Sequence, residues 1–430
     1  MTPSARLAAA IDLLTAMDAA PRRPADATAN SFFRERRFIG GGDRRAISAI
    51  VWDVLRQWRR AEWLIAQVGG EATPRLRVAV RQLLAGESFG DIAQSFVEGK
   101  FAPGALARDE RRFLETLATS RPDEAIMPRA VRLEVPDWLL SHLEATFGET
   151  LETELAAMAG EATLDLRVNT LRGDREAAQK ALLRDGFRAE LTELSPWGLR
   201  LSGRQPVTAS AAFKEGLVEI QDEGSQLVVA MLGARPEMRI LDYCAGAGGK
   251  TLAIAMMMQN RGHIVACDVS VPRLEGAVKR LRRAGIHNAE RHLLVPGDKW
   301  AKRRAKSFDR VLVDAPCTGT GTWRRNPDAR VRLEENDLKE LTVKQAEILD
   351  RSAALVRPGG RLVYATCSIL NAENSDQITA FLARHPDFVS VVPDAPEVPA
   401  ALAGSSMLSL TPGRNGTDGF FAAVLERKEG

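Results

Sequence analysis

The apolar residues of this 430-residue chain change their spacing twice along the sequence. In the first part they recur every three or four positions, which is the spacing of amphipathic helices. The helical stretches are residues 7–17, 47–55, 76–84 and 113–117, and residues 32–45 form a connection rich in Arg and Gly between the first two. We predict a small helical bundle over residues 1–130.

In the middle part, helical spacing gives way to short strands. Residues 119–136 contain Pro122, Pro128 and Pro136, which indicates a linker, and a short helix follows over 137–147. Strands are predicted over 164–169, 188–194, 198–201 and 217–221, with a helix over 175–185. The second and third of these strands pair around Ser195-Pro196-Trp197. We predict a linker helix and a small α+β module over residues 131–235, without a catalytic motif of its own.

The last part, residues 236–430, alternates strands with helices. The strands at 239–244, 263–268, 309–315 and 361–367 are almost continuously apolar, which is typical of a sheet covered on both faces. Helices are predicted over 251–259, 273–284, 341–356 and 374–384, the third ended by Pro358-Gly359-Gly360. The predicted fold class is therefore α/β, with a doubly wound, Rossmann-like parallel sheet that follows the α+β module and the helical bundle.

Composition excludes several classes of protein. Hydrophobic residues make up 45% and charged residues 27% of the chain, which is the usual globular mix. The longest apolar run, 251–258, is far shorter than the ~20 residues of a membrane-spanning helix, and the N-terminus has no secretory signal. Four cysteines without a CxxC pair exclude a zinc knuckle and make a disulfide scaffold improbable. We expect a monomeric cytoplasmic protein without a metal or a membrane.

Charge is distributed unevenly along the chain. The net charge is only +3, but residues 270–335 contain 16 Lys/Arg and 8 Asp/Glu, and residues 1–60 contain 11 basic and 6 acidic residues. Locally basic stretches on a nearly neutral protein indicate a polyanionic partner such as a nucleic acid. The alternative interpretation of each stretch is an ordinary solvated helix face.

The chemically informative residues fall where the predicted parallel strands end. In such sheets, ligands bind beyond the carboxyl ends of the strands. The first strand ends at Cys244 and is followed by a glycine-rich turn, the second ends at Asp268, the third leads from Asp314 to Cys317, and the fourth ends at Cys367. Three of the four cysteines therefore lie at the predicted ligand edge, whereas Cys267 is expected in the core.

The glycine-rich turn at 244–251 has several possible interpretations. A P-loop needs a glycine six residues before its Lys, and Cys244 occupies that place. A dinucleotide fingerprint fails because Lys250 and Thr251 follow Gly246-x-Gly248-Gly249. Glycines allow the backbone to approach a ligand closely, and Asp268 is spaced to bind ribose hydroxyls. A nucleoside cofactor without a diphosphate, such as S-adenosylmethionine, fits best; a purely structural turn is the alternative.

The segment Asp314-Ala315-Pro316-Cys317 indicates covalent chemistry. Methylation of an exocyclic amine usually uses Asp/Asn-Pro-Pro-aromatic, whereas a cysteine at this place indicates activation of a pyrimidine ring. Addition of a thiolate to carbon 6 makes carbon 5 nucleophilic toward a sulfonium methyl group. An acid must absorb charge near ring nitrogen N3, and a base must remove the carbon-5 proton before the sulfur leaves. One reactive cysteine, one Asp and a second assisting cysteine meet these needs.

The motifs of this chain resemble the RsmB/Sun family of RNA 5-methylcytosine methyltransferases. The matching stretches are LDYCAGAGGKT (241–251), FDRVLVDAPCTGTGTWRRNPD (308–328), QAEIL (345–349), GGRLVYATCSILNAEN (359–374) and DGFFAAVL (418–425). The α+β module resembles the family's N1 region at 167–169 and 217–226, and the helical start resembles the NusB-like RNA-binding domain of the bacterial rRNA enzymes, notably at 33–43.

The resemblance implies a role for each matching residue. Cys367 would be the nucleophile, Cys317 would assist product release, and Asp314 would contact N3 with Lys250 in the same active site. DNA 5-methylcytosine enzymes use the cysteine of the Pro-Cys motif, so the reversed assignment of the two cysteines stays open. S-adenosylmethionine would be bound by these residues: Cys244, Ala245, Gly246, Ala247, Gly248, Gly249, Lys250, Asp268, Arg273, Asp298 and Asp314.

The expected substrate is RNA, which would be bound by the following residues: Arg36, Arg37, Arg44, Arg45, Arg324, Arg325 and Asn326. The NusB-like start favours small-subunit (16S) rRNA. A tRNA substrate is one alternative. A non-catalytic RNA-binding factor in ribosome assembly is another, although intact Cys317, Cys367 and Asp314 argue against it.

Overall fold

The computed structural model describes residues 1–203 and 205–429 and divides the chain into two compact units. The first unit contains Met1–Glu144 together with Trp323–Glu335, and the second contains Ala145–Thr322 together with Asn336–Gly430. The sequence did not indicate that residues 323–335 belong with the N-terminal unit. The predicted domain boundaries at 130/131 and 235/236 stay predictions.

The N-terminal part of the first unit is helical, as predicted. Its helices are α1 (Pro3–Asp18), α2 (Ala25–Glu35), α3 (Gly41–Arg56), α4 (Trp58–Gln67), α5 (Pro74–Leu84), α6 (Phe89–Ser95), α7 (Arg108–Thr119) and α8 (Arg129–Arg132). They enclose one apolar core that includes the fully buried Leu13, Leu14, Ile47 and Val51. The likeness to a NusB-like domain stays a prediction.

The predicted connection over residues 32–45 is largely helical in the structure. Helix α2 continues to Glu35 and α3 begins at Gly41, so only five residues connect them. The sequence of α2 is rich in Ala and polar residues, and its two large apolar residues, Phe32 and Phe33, are adjacent, so no helical period is visible. That prediction was wrong because burial of two rings, rather than a stripe, holds the helix.

The second unit begins with two helices and a small antiparallel sheet, which agrees with the predicted α+β module. Its strands lie in the order β2-β3-β1-β4, and β2 pairs with β3 as predicted. The elements are α9 (Leu140–Phe147), α10 (Leu151–Ala159), β1 (Leu164–Val168), α11 (Arg175–Arg184), β2 (Ala189–Leu191), β3 (Gly198–Leu201), α12 (Ala211–Lys214), β4 (Val218–Ile220) and α13 (Glu223–Leu232). Helix α9 spans the boundary of the two units.

The larger sheet of the second unit has eight strands, and its parallel part confirms the predicted Rossmann-like fold. Five parallel strands lie in the order β9-β8-β5-β6-β7. The strands are β5 (Arg239–Asp242), β6 (His263–Asp268), β7 (Ala289–Leu293), β8 (Phe308–Asp314), β9 (Val356–Thr366), β10 (Phe388–Ser390), β11 (Met407–Leu410) and β12 (Phe420–Arg427). The helices are α14 (Gly249–Met257), α15 (Val271–Ala284), α16 (Trp300–Arg303), α17 (Asp328–Arg332, in the first unit), α18 (Glu335–Ala353), α19 (Ser375–Arg384) and α20 (Pro412–Asn415).

The sheet differs from the prediction at its two edges. Strand β12 runs antiparallel to β9, from Phe421 opposite Thr366 to Glu426 opposite Arg361, and β10 and β11 pair with β12. Strand β7 was missed because its sequence, AERHL, is polar at an edge of the sheet. The third helix of this domain was predicted to end at Pro358-Gly359-Gly360; α18 ends earlier, at Ala353, and these residues lie inside β9.

Alternate residues of the central strands are buried on opposite faces of the sheet. Ile240, Leu312 and Val363 belong to one apolar cluster, whereas Leu241 and Val311 belong to the other. This double burial fixes the strand register and places the carboxyl ends of β5, β6, β8 and β9 at one edge. Within the described residues, no helix is long and apolar enough to cross a membrane.

Candidate active site

The glycine-rich turn connects the end of β5 to the start of α14. Gly246 and Gly248 have φ angles of 55° and 79°, in the left-handed region that favours glycine. The Ala245 amide donates to the Cys267 carbonyl (2.8 Å), and the Gly248 amide donates to the Ala245 carbonyl (2.9 Å). A side chain at 246 would meet no atom within 4 Å, so the concave face of the turn is open to a ligand.

Asp268 ties the end of β6 to this turn. Its Oδ2 accepts from the Gly246 amide and its Oδ1 from the Ser270 amide, both at 2.8 Å, while the residue is 5% exposed. A carboxylate has about four acceptor positions, so two hydrogen bonds leave room for hydroxyl donors. The open turn and the remaining acceptor positions fit the methionine and ribose parts of S-adenosylmethionine.

Asp242 fastens α14 to the end of β5. The Thr251 hydroxyl donates to its Oδ2 (2.7 Å), and Oδ1 has no hydrogen-bond partner among the described residues. Complete burial raises the pKa of Asp242 to about 7. Two further cations, neither predicted as a site residue, brace the turn: Arg280 donates to the Ala247 carbonyl (2.9 Å) and Arg167 to the Gly249 carbonyl (3.0 Å).

Lys250 and Asp314 form a close ion pair. Lys250 Nζ lies 2.6 Å from Asp314 Oδ2, with the two side chains 12% and 31% exposed. Burial alone would lower the pKa of Lys250, but the Asp314 carboxylate outweighs it and the pKa of Lys250 is raised. The pair therefore places an ammonium group and a carboxylate at the end of β8.

The cysteines of the Pro-Cys and Thr-Cys motifs meet at the ends of neighbouring strands. Asp314 of β8 lies opposite Ala365 of β9, and the Ala315 amide donates to the Ala365 carbonyl (2.8 Å). This register brings the Sγ atoms of Cys317 and Cys367 to 3.5 Å. The hydrogen bond to Cys367, together with burial, raises the pKa of the Cys317 thiol well above its usual range.

Two fully buried side chains hold the backbone on both sides of Cys317. Glu373 accepts from the Thr318 amide (2.8 Å) and also from the Thr318 hydroxyl. Gln345 of α18 donates to Glu373 (2.9 Å) and to the Pro316 carbonyl (3.0 Å). The sequence interpretation missed both residues, although they lie in two of the quoted stretches, QAEIL and the one that ends in NAEN.

The Cys367 backbone is held by a second set of hydroxyl and amide groups. Its carbonyl accepts from the Gly321 amide (2.9 Å). The Thr320 hydroxyl contacts the Ser368 hydroxyl (3.0 Å), and Asn374 donates to the Ser368 carbonyl (2.9 Å). Both sulfurs therefore project from backbone that buried polar groups fix in place.

The structure brings together most of the predicted catalytic and cofactor residues, but two lie apart from these contacts. Asp298 accepts from the Trp300 amide and contacts His292 Nε2, both at 2.7 Å, and these contacts lower its pKa. Arg273 is exposed in the first turn of α15. Among the described residues, no group of His, Cys, Asp and Glu could hold a metal ion.

The predicted RNA-binding residues of the first unit differ in exposure. Arg324 is only 5% exposed, and its carbonyl accepts from Arg56 (3.2 Å), so its side chain does not face solvent. Arg325 is partly buried, and its carbonyl accepts from Trp52 Nε1 (3.3 Å), whereas Asn326 is exposed. The backbone of this segment is thus fixed to α3.

The arginines around the start of α3 also divide into two kinds. The Arg44 guanidinium donates to the Ile39 carbonyl (2.8 Å) and the Phe33 carbonyl (3.4 Å), which is a structural role. Arg36 stacks over the Phe32 ring at 3.9 Å. Arg37 and Arg45 are exposed and available to a partner.

Comparison with known proteins identifies the family. Residues 229–426 match the model of the 16S rRNA methyltransferase RsmB/F family, and residues 135–208 match its ferredoxin-like domain. The ribosomal RNA small subunit methyltransferase B of Pectobacterium atrosepticum is 35% identical over 91% of this chain and 92% of its own length. The enzyme of the same name from Citrobacter koseri is 32% identical over 91% and 92%.

Solved structures show the same relationship. The crystal structure of the protein PH0851 superposes with a TM-score of 0.79 at 28% identity and covers 99% of both chains. A methyltransferase homologue from Pyrococcus horikoshii superposes with a TM-score of 0.59 at 27% identity, over 69% of this chain and 97% of its own. The chain therefore belongs to the 16S rRNA methyltransferase RsmB/F family and is an S-adenosylmethionine-dependent RNA methyltransferase.

Proposed function

We propose that this enzyme methylates carbon 5 of a cytosine in small-subunit rRNA through a covalent bond between Cys367 and carbon 6. The observation that supports this most directly is the 3.5 Å contact between the Cys317 and Cys367 sulfurs, beside the Lys250–Asp314 pair. Methylation of an amine or a ribose hydroxyl needs no thiol, whereas methylation of carbon 5 needs a nucleophile and a second group that assists release.

S-adenosylmethionine supplies an electrophilic methyl group on a sulfonium centre. The turn at 244–249 would hold its methionine part, and Asp268 would accept hydrogen bonds from its ribose hydroxyls. Asp298 is the proposed partner of the adenine, although its carboxylate is already engaged with Trp300 and His292. Arg273, which is exposed, is the least supported member of this set.

The proposed reaction uses the two strand ends in sequence. The Cys367 thiolate adds to carbon 6, and the ring electrons move toward N3 and carbon 5. Asp314, whose Oδ2 accepts from the Lys250 ammonium, relays a proton to N3. Carbon 5 takes the methyl group and then loses its proton to a base, the electrons of that bond expel the Cys367 sulfur, and Cys317 assists this release.

The surroundings of Cys317 favour this assignment over the reversed one. A nucleophilic cysteine reacts as the thiolate, and the raised pKa of Cys317 keeps it as a thiol. A thiol beside Cys367 can donate a hydrogen bond to the attacking sulfur and later exchange a proton near the adduct.

The names of the relatives support rRNA as the substrate. Both bacterial relatives described above are small-subunit rRNA methyltransferases that match this chain over about nine-tenths of its length. Transfer of RNA and a non-catalytic role in assembly stay as alternatives. The monomeric state and the cytoplasmic location stay predictions.

The proposed function is tested by methyl transfer from labelled S-adenosylmethionine to separated RNA classes from a strain that lacks this enzyme. We expect label in small-subunit rRNA, recovered as 5-methylcytosine after digestion. Label in tRNA would replace the proposed substrate, label in another nucleoside would replace the proposed chemistry, and no label in any class would favour the non-catalytic role.

A further inference from the structure

Two phenylalanine rings of the helical unit are exposed to a degree that is unusual for this residue. Phe38, between α2 and α3, is 77% exposed, and Phe101, between α6 and α7, is 69% exposed. Both line one groove of about 260 Å³. Large exposed apolar side chains that converge on one concave surface indicate a binding site, because the solvent exposure of the rings is unfavourable unless a partner covers them.

The floor of this groove is flat and its rim is cationic. Ala5, Ala8 and Ala9 of α1 supply small side chains along the floor. Arg36 lies over the Phe32 ring at 3.9 Å, and Lys100 Nζ lies 5.4 Å from the Phe101 ring. Flat apolar surface beside basic side chains suits a planar base that is joined to a phosphate.

The charges at the groove favour an anionic partner. Arg36 and Lys100 line it, and the exposed Arg37 lies between Arg36 and Phe38 in the chain. Asp12 is the one acid in the lining, and Glu35 lies 3.6 Å from Arg36. Aromatic rings among cations are the usual means of holding unpaired nucleotides, since bases stack on the rings while Lys and Arg bind the phosphates.

We propose that the groove between Phe38 and Phe101 binds an unpaired nucleotide of the RNA, with its base against the rings and its phosphate near Arg37 and Lys100. This inference rests on the proposed function in that the substrate is RNA. It adds a second contact in the helical unit, independent of the cytosine that is methylated, which would select single-stranded over fully paired RNA.

The test uses the full chain with fluorescein-labelled oligo(A) of 12 nucleotides and a 12-base-pair RNA duplex, read by anisotropy at several salt concentrations. Phe38→Ala and Phe101→Ala should each weaken binding of the single strand by roughly 5- to 140-fold, which is about 1–3 kcal/mol per stacked base. The salt slope should stay unchanged in these variants. Lys100→Ala should reduce it by about 0.7 for one lost phosphate contact.

The control variant is Ile126→Ala, since Ile126 is 65% exposed in the same unit but does not line the groove. Phe38→Trp should restore binding, because it keeps a stacking surface. Normal binding of oligo(A) by both alanine variants would overturn the proposal, as would equal losses for single strand and duplex. Wild-type self-association that Phe38→Ala abolishes would make the groove a dimer contact instead.

Failure of this proposal is distinguishable from failure of the proposed function. If rRNA is methylated at carbon 5 while both alanine variants bind oligo(A) and react normally, only the groove assignment is wrong. If the phenylalanine-dependent binding of oligo(A) is present but no cytosine is methylated, the groove assignment stands and the proposed reaction is wrong.

Discussion

The sulfur atoms of Cys317 and Cys367 lie 3.5 Å apart, although 50 residues separate them in the sequence. The contact arises because β8 and β9 are neighbours and parallel, so that the residues after both strands emerge at one edge. Buried polar groups then fix the backbone on each side. The site therefore presents two thiols to one ring.

Loss of Glu373 should displace Cys317 without unfolding the protein. Glu373→Ala removes the acceptor for the Thr318 amide, and we expect turnover to fall roughly tenfold to a hundredfold, as for a small misplacement of a catalytic group. Glu373→Gln keeps one acceptor oxygen and should be less affected. Steady-state kinetics should show kcat reduced with little change in KM.

The matched control for that prediction is Glu347→Ala, an exposed residue of α18 that pairs with Arg351. Its turnover should equal that of the wild type. If Glu373→Ala turns over normally, Glu373 does not position Cys317.

Removal of the Asp268 carboxylate should weaken cofactor binding. A hydrogen bond to a charged group contributes about 1.5–3 kcal/mol, so Asp268→Asn should raise the Kd for S-adenosylmethionine roughly 10- to 150-fold in calorimetry. Binding of RNA without cofactor should barely change. Asp376→Asn, at an exposed position in α19, is the control. An unchanged Kd would remove Asp268 from the ribose site.

Neutralising the exposed arginines at the start of α3 should reduce the electrostatic part of RNA binding. Arg37→Ala and Arg45→Ala together should flatten the salt dependence of single-strand binding by up to about 1.4, or roughly 0.7 per phosphate contact. Arg44→Ala should instead lower the thermal unfolding midpoint, because Arg44 bonds to the backbone. A salt slope that is identical to that of the wild type would exclude this surface from the RNA interface.

Asp242 should make stability depend on pH. Its folded pKa is about 7, raised by burial from an ordinary value of 3.8, so the folded protein keeps a proton that the unfolded chain releases at lower pH. The contribution of Asp242 to stability is therefore full below about pH 4 and falls as pH rises toward about 7, by up to about 1.4 kcal/mol per pH unit.

This prediction is checked by denaturant unfolding of the wild type and Asp242→Asn at pH 5 and pH 7.5. The difference in free energy of unfolding between the two pH values should shrink in the variant. An exposed substitution, Asp387→Asn, should leave it unchanged. Equal pH dependence of the wild type and Asp242→Asn would contradict the raised pKa.

The parallel sheet and the residues at its ligand edge could be predicted because strands buried on both faces are almost continuously apolar. Cys317, Cys367, Asp314 and the turn at 244–250 follow directly from where such strands end. The antiparallel strand β12 could not be predicted, since its apolar sequence does not state its direction, which its pairing with β9 decides.

The support of the site was harder to see in the sequence. Glu373 and Gln345 have the composition of ordinary helix surfaces, and only the fold buries them against the backbone around Cys317. Arg324 was expected to face RNA as part of a basic run. It is buried because Trp323, which is 0% exposed, packs into the helical unit beside it.

The roles of the two cysteines are tested most directly by incubating Cys317→Ala and Cys367→Ala with RNA and S-adenosylmethionine and comparing them on one denaturing gel. Cys317→Ala should still attack and methylate once but release slowly, leaving an enzyme–RNA adduct that nuclease removes. Cys367→Ala should form no adduct and transfer no methyl group. An adduct only in Cys367→Ala would reverse the assignment, and the absence of an adduct in both would contradict the release role of Cys317.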